Sequence, residues 1–320
     1  MIGILASNNF VVFIIAIFIS NIFISPIRKL GLKYKIIDHY EKRKENKGVI
    51  VRIGGLSIIF GSSISLFLSS YLFKTNFDVQ IIYLFYISFL FFLIGFFDDL
   101  FTISPIPRLF LQISSTLIAL KLMDNLVFPI FQFNILDNYP NALYIFISFF
   151  ITLIWIPGVT NALNWTDGLD GLAGGVSVII STGLFFIFLS LELYDYALYS
   201  IAIAGGCYGF LIHNYKPATI HMGDGGSYFL GFNLAALSLI ASNYSFLENN
   251  LNNSIVSSLL PFVLLSVPIL DMFFVILVRI NKGKSPLYPD RNHLHHRLLD
   301  LGIDYKTTIL IILFLNVVAV

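Results

Sequence analysis

The chain has one cysteine in 320 residues, Cys207, and it lies inside an apolar segment. A single thiol cannot close a disulfide within the chain, and a zinc site of the cysteine type is excluded. Cys207 reads as a small packing residue. Charge is scarce as well: charged side chains make up 12% of the sequence, against roughly 25% in an ordinary soluble domain. The formal net charge of +1 offers no attraction to a polyanion, so no nucleic-acid partner is expected. Linkers rich in proline, glycine or serine are missing, and residues 1–320 read as a single integral-membrane domain. No lysine or arginine precedes Arg28. A secretory signal carries its positive charge before its apolar stretch, so the first segment is expected to remain as a helix.

What the chain has in abundance is apolar sequence: 57% of its residues, with a mean hydropathy of +0.86. Runs of about 20 apolar residues cross a bilayer. They fall near 2–24, 54–73, 79–97, 107–123, 142–160, 172–191, 197–213, 226–242, 255–279 and 307–320. This pattern predicts an all-α, polytopic transmembrane bundle of about ten spans. Pro157, Pro261 and Pro268 predict kinks without cancelling the spans. Threading with the N-terminus outside puts nine basic residues of 28–52, Arg108, Lys216 and six of 279–306 inside. Only Lys74 and Lys121 are left outside, and the positive-inside bias selects this orientation. The same threading gathers Asp98, Asp99, Asp167, Asp170, Asp224, His221, His293, His295 and His296 on the cytoplasmic face. An active site is expected there.

Between two of the apolar runs lies Asn161-Ala-Leu-Asn164-Trp-Thr-Asp167-Gly-Leu-Asp170, followed by Gly171, Gly174 and Gly175. If helical, Asn164, Asp167 and Asp170 recur every three residues and share about a third of the circumference. Such a face is costly against lipid and useful against a cation or a phosphorylated ligand. Gly168 and the later glycines match neither a dinucleotide fingerprint nor a Walker loop, and read as close helix packing. Asp98 and Asp99 close the third span and repel each other unless a cation is near; Arg108 can pair with them or grip a phosphate. His221-Met-Gly-Asp224-Gly-Gly226 reads as a tight turn whose glycines admit a ligand and whose Asp224 offers hard oxygen to Mg2+. An N-cap role for Asp224 is the plainer alternative. Arg291-Asn-His293-Leu-His295-His296-Arg297 lacks metalloprotease spacing and suits anionic diphosphate and sugar hydroxyls. Contact with anionic lipid head groups is its alternative. In the loop 28–52, Lys47 and Arg52 stand near Gly54-Gly55 and so close enough to the membrane to reach a site.

In this order, Arg52-Ile-Gly-Gly55, Phe97-Asp-Asp99 with Ser104-Pro105 and Arg108, the Asn161–Ala173 stretch, Asn214, His221-Met-Gly-Asp224 and His293-Leu-His295-His296-Arg297 form a set. The set resembles the motifs of the polyprenyl-phosphate N-acetylhexosamine-1-phosphate transferases. The histidine motif looks more like the UDP-N-acetylhexosamine branch than the pentapeptide branch. The resemblance implies transfer of a sugar 1-phosphate from a UDP-N-acetylhexosamine to undecaprenyl phosphate, in the bacterial inner membrane. UMP is released, and the product initiates a surface glycan such as O-antigen, common antigen or teichoic acid. It implies Mg2+, or Mn2+ in its place, on Asn164 and Asp224, with Asp98 and Asp99 positioning or deprotonating the lipid phosphate. It places Asp167, Asp170, Asn214 and His221 in or beside the nucleotide site. Arg291, His293, His295 and His296 fall on the sugar-phosphate side, with Lys47, Arg52 and Arg108 as further substrate contacts. A homodimer is an assembly it leaves open. Two departures stand out. His221 replaces the usual phenylalanine, although an imidazole can also stack on uracil. The inner loop keeps Asp38, Arg43, Lys44 and Arg52 but has Tyr40, Asn46 and Val51 where proline, histidine and proline are usual.

A transporter is the rival class. It predicts acids in mid-span and near both faces, together with inverted repeats. Asp271 is the one acid that lies in mid-span, and no repeat is visible. An intramembrane aspartyl protease needs a Gly-x-Gly-Asp turn, and His221 replaces its first glycine.

Overall fold

The computed structural model describes residues 2–37, 49–74, 77–129, 141–248, 254–288 and 290–320. Lys47 and most of its loop, including Asp38, Arg43 and Lys44, lie outside the described residues. The described residues form helices, with isolated bridges and no strand. In chain order the helices are α1 (Ile2–Lys33), α2 (Gly55–Phe73), α3 (Val79–Phe101), α4 (Pro105–Leu122), α5 (Asn141–Thr166) and α6 (Leu172–Ser190). They continue with α7 (Tyr194–Asn214), α8 (Gly223–Glu248), α9 (Ser254–Leu264), α10 (Ser266–Asn281), α11 (Leu294–Asp300) and α12 (Tyr305–Ala319). Local chemistry sets several of their starts. Asp78 caps α3 by accepting from the Gln80 N–H, Pro105 opens α4, and Asp304 caps α12 through the Thr307 N–H.

Seven helices, α1 to α3 and α5 to α8, are long and apolar enough to cross a membrane. An eighth crossing exists only as the pair α9 and α10, bent by 70°. Pro268 stands just past the break, where its missing N–H cannot bond the preceding turn. Pro157, by contrast, sits inside α5 without ending it. The expected ten is therefore too many. Helix α12 has 15 residues, and α4 carries Arg108, Gln112 and Lys121, which lower its hydropathy. Helix α4 still runs the depth of the bundle. At one end Arg108 donates to Asp98, and just past the other Asn125 donates to the Tyr244 hydroxyl of α8 at 2.9 Å.

Helix α8 is the centre. The most apolar 18-residue stretch of its span has the lowest hydropathy of the seven, 1.2, yet is 100% buried inside the protein. Apolarity is required against lipid but not against other helices, where small and polar residues pack closely if each polar group finds a partner. Asn233 accepts from the Tyr199 hydroxyl at 2.7 Å and donates to the Phe229 carbonyl at 2.8 Å. Ser242 donates to the Ser257 carbonyl of α9. Phe67, Tyr71, Phe110 and Phe146 are exposed on the flanks, as expected of lipid-facing side chains.

Backbones touch where α8 begins. A Cβ on Gly55 would lie 2.3 Å from the Gly226 Cα, and one on Gly95 would lie 2.2 Å from the Asp224 carbonyl oxygen. Helices α2, α3 and α8 thus meet without side chains between them. Overpacking of this kind costs roughly 1–3 kcal/mol. We expect Gly55→Ala to lower the melting temperature of the purified protein. Gly158→Ala, whose new methyl would meet only the Met272 Cε at 4.0 Å, should leave it unchanged. Equal melting curves for the two variants would disprove the tight contact.

Candidate functional site

The site is assembled by a short backbone stitch. The His221 N–H donates to the Val51 carbonyl (2.8 Å), the Gly54 N–H to the His221 carbonyl (2.9 Å) and the Gly55 N–H to the Met222 carbonyl (2.9 Å). This lays Arg52 beside the first turn of α8. Gly223 adopts φ +75°, and a Cβ there would lie 1.9 Å from the Arg52 carbonyl oxygen, so the turn needs glycine. Asp224 follows inside the first helical turn, where the helix dipole favours a negative charge; it is not the cap residue.

A polar cavity of about 150 Å³ opens here, lined by Arg52, Asn164, Asp167, Asp170, Asn214, His221 and Asp224, among others. Seven candidates from four separate sequence stretches therefore share one wall. A larger cavity of about 550 Å³ lies against Phe10, Phe13, Phe185 and Phe186 of α1 and α6, and its walls carry none of the candidates.

Arg52 is the local cation. Its Nη2 lies 3.3 Å from Asp99 Oδ1 and 3.8 Å from Asp224 Oδ1. Asp99 Oδ2 also accepts from the Gly225 N–H at 3.1 Å. The neighbouring Asp98 also approaches the Asp224 carboxyl, and a second cation, Arg108, holds it from its other side. Its Oδ2 accepts from Arg108 Nη1 at 2.6 Å and its Oδ1 from the Ile103 N–H at 2.8 Å, which closes the turn between α3 and α4. Asn164, in the last turn of α5, donates through Nδ2 to Asp224 Oδ1 (2.8 Å) and to Ser227 Oγ (2.9 Å). Buried Asn214 is a brace: it accepts from the Gly171 N–H and donates to the Ile220 carbonyl, both at 2.9 Å.

Asp167 and Asp170 do not lie on a helical stripe. Helix α5 ends at Thr166, Gly171 takes φ +86°, and the two carboxylates reach the cavity from the turn between α5 and α6. Asp170 Oδ1 is 3.4 Å from His221 Nε2, and its Oδ2 accepts from the Ala218 N–H at 3.3 Å. Burial raises the Asp167 carboxyl to about 7. The charges of His221 and Arg52 pull it down, and those of Asp224 and Asp170 add to the rise.

The histidine motif forms α11 and rests on that turn. A Cβ on Gly168 would lie 2.3 Å from His295 Nε2. Burial, followed by the charges of His296 and His293, lowers the His295 imidazole to about 3. At neutral pH its ring is uncharged, so it offers a ligand hydrogen bonding and shape, and the positive charge of the cluster rests with its arginines. Burial also lowers His296, while Arg291 is exposed on the approach to α11. Several contacts had no signal in the sequence. Arg279 pairs with both oxygens of Asp290 at 3.1 Å, donates to the Pro286 carbonyl and stacks over Trp165 at 4.6 Å. Burial alone would raise Asp290, but the Arg279 and Asn292 hydrogen bonds outweigh it and hold the carboxyl at about 2. Asp271, the mid-span acid, is paired to the start of α11, and among the described residues it is not part of a chain of acids.

Among the described residues no three His, Cys, Asp or Glu side chains converge into a protein-only cage. Asp224 with the Asn164 amide makes a two-residue, hard-oxygen set. That fits Mg2+, which keeps waters and ligand phosphates in its other positions. Asn164 directs its Nδ2 at Asp224, so offering its oxygen to a cation requires the amide to turn over.

The unfolded chain protonates His295 near 6.5, whereas the folded protein holds the proton off until about 3. Stability from this residue is therefore complete above about 6.5 and declines as pH falls toward about 3. We expect His295→Asn to flatten the fall in melting temperature between pH 7 and roughly 4. Parallel pH profiles would show that His295 titrates freely.

The family model for glycosyl transferase family 4 matches residues 81–242. The chain is similar to the probable undecaprenyl-phosphate N-acetylglucosaminyl 1-phosphate transferase of Bacillus subtilis, 29% identical over 302 residues, or 94% of this chain and 80% of the relative. It is also similar to the decaprenyl-phosphate N-acetylglucosaminephosphotransferase of Mycolicibacterium smegmatis, 28% identical over 319 residues (92% and 76%). The phospho-N-acetylmuramoyl-pentapeptide-transferase of Prochlorococcus marinus is 34% identical over 289 residues (85% and 76%). Apolar helices and bacterial relatives together make this a multi-pass protein of the inner (plasma) membrane. With a matched model over half its length and relatives aligned over most of both chains, the protein belongs to glycosyl transferase family 4.

Proposed function

We propose that the protein transfers N-acetylhexosamine 1-phosphate from a UDP-sugar to undecaprenyl phosphate, releasing UMP and starting a surface glycan. The observation that carries this is the polar cavity at one end of the bundle, where Arg52, Asn164, Asp167, Asp170, His221 and Asp224 converge. A water-soluble diphosphate donor and a lipid-tailed phosphate acceptor can meet only at such a margin. Names of the relatives support hexosamine-phosphate chemistry and a polyprenyl-phosphate acceptor. The concentration of basic residues at this end supports a cytoplasmic site.

In this reaction an oxygen of the lipid phosphate attacks the β-phosphorus of the donor, and the bond to the bridging oxygen breaks as UMP leaves. Phosphoryl transfer needs mainly positioning and charge neutralisation. Asp224 and Asn164 would hold Mg2+, which would supply part of that neutralisation, and Arg52 supplies a fixed cation. Asp99, tied to Arg52, and Asp98, tied to Arg108, are the acids assigned to the acceptor side. A cavity of about 150 Å³ is smaller than the roughly 300–1,000 Å³ of sites that enclose a whole ligand. It suits the diphosphate and its cation, with uridine and sugar lying toward His221, Asp170, Arg291 and α11.

Purified protein with undecaprenyl phosphate and Mg2+ should release UMP from at least one of UDP-GlcNAc, UDP-FucNAc and UDP-QuiNAc. No UMP from any of them would sink the reading. Asp224→Ala should cut turnover by about 100-fold or more, since even outer partners of a metal ligand are worth 10–100-fold. Normal turnover in that variant would remove the metal assignment.

A further inference from the structure

Asp271 lies within α10, where an ionised side chain is expensive and calls for a partner. Its side chain is 9% exposed, and both carboxylate oxygens go to one target, the start of α11. Oδ1 accepts from the Leu294 N–H at 2.6 Å, and Oδ2 lies 2.9 Å from His293 Nδ1. His293, the residue at the cap position, makes no side-chain cap bond of its own. A hydroxyl or an amide would be enough to cap a helix. What a carboxylate adds is a tautomer: an ionised acceptor requires the proton on Nδ1 and leaves Nε2 as the contact atom.

The ring is also held from its sides. Trp165 meets its edge at 5.6 Å, and His295 lies parallel to it at 5.7 Å with 5° between planes. Trp165 directly follows Asn164, and His295 rests on Gly168, so the clamp is built on the segment that lines the cavity. Among the described residues His293 Nε2 has no hydrogen-bond partner.

We propose that Asp271 is a positioning residue: it holds His293 in the Nδ1–H form and turns Nε2 toward the bound nucleotide sugar, acting through His293 without touching substrate. This rests on the transferase reading above. The discriminating variant is Asp271→Asn. Its amide oxygen can still cap Leu294, but its NH2 group facing Nδ1 forces the opposite tautomer.

Nitrogen NMR of histidine-labelled, full-length protein, with His293→Gln for assignment, should report the Nδ1–H form in the parent and the Nε2–H form in Asp271→Asn. The same tautomer in both overturns the proposal, and this readout stands even if no UDP-sugar is turned over. In the UMP assay, Asp271→Asn should lower kcat/KM for the donor about 10–100-fold with an unchanged melting temperature. Placed on His293→Gln it should cost nothing further. Additive losses, or parental kcat/KM in Asp271→Asn, would refute the role. Should the asparagine variant not fold, Asp271→Glu must keep the Nδ1–H form, and loss of that form overturns the proposal.

Discussion

Carboxylates at the margin of a hydrocarbon layer persist only where protein atoms replace the water they have lost. That requirement shapes one end of this bundle. Asp99 and Asp224 share the Arg52 guanidinium, Asp99 takes the Gly225 N–H, and Asp224 takes the Asn164 amide. The first three of these contacts form only where α2, α3 and α8 approach at backbone distance, which Gly55, Gly95 and Gly226 permit. The glycines are thus upstream of the charges. They set the separation at which one arginine serves two acids, and the cavity is what remains open beside that arrangement.

Much of this was legible from composition. Hydropathy marks helices that face lipid, and the bias of basic residues marks the end at which the acids gather. Motif order then named most of the cavity wall. The span count failed for the same physical reason that hydropathy succeeds elsewhere. It measures affinity for lipid, so it grades α4 by Arg108 and Gln112 although both face partners inside the bundle. The face expected of Asn164, Asp167 and Asp170 failed because α5 stops at Thr166, and period three does not reveal where a helix ends.

What sequence spacing could not show is which way a side chain turns. Asp98 and Asp99 are adjacent, chemically identical and both close to Asp224, yet Asp98 is paired to Arg108 and Asp99 to Arg52 and the Gly225 N–H. A helix terminus points consecutive residues about 100° apart, so they meet different neighbours. The histidines divide in the same manner. His293 is hydrogen-bonded to Asp271, while His295 is buried against Gly168 and uncharged. Pairs such as Asp271 with His293, or Arg279 with Asp290, join a membrane helix to a loop whose path follows no periodicity.

Helix α8 carries a further consequence. Its window has the lowest hydropathy of the seven, 1.2, and it holds Asn233 with a series of serines, yet lipid touches none of it. A segment like this gains little by entering a bilayer alone, because Asn233 Oδ1 and the Ser242 hydroxyl find their partners on α7 and α9. Its insertion is therefore a collective event. Helices made before it, α3, α5 and α7, and one made after it, α9, offer the surfaces and hydrogen-bond partners that receive it. The carboxylate end of the bundle matures only when that late, central helix is seated, so the enzyme has no working half.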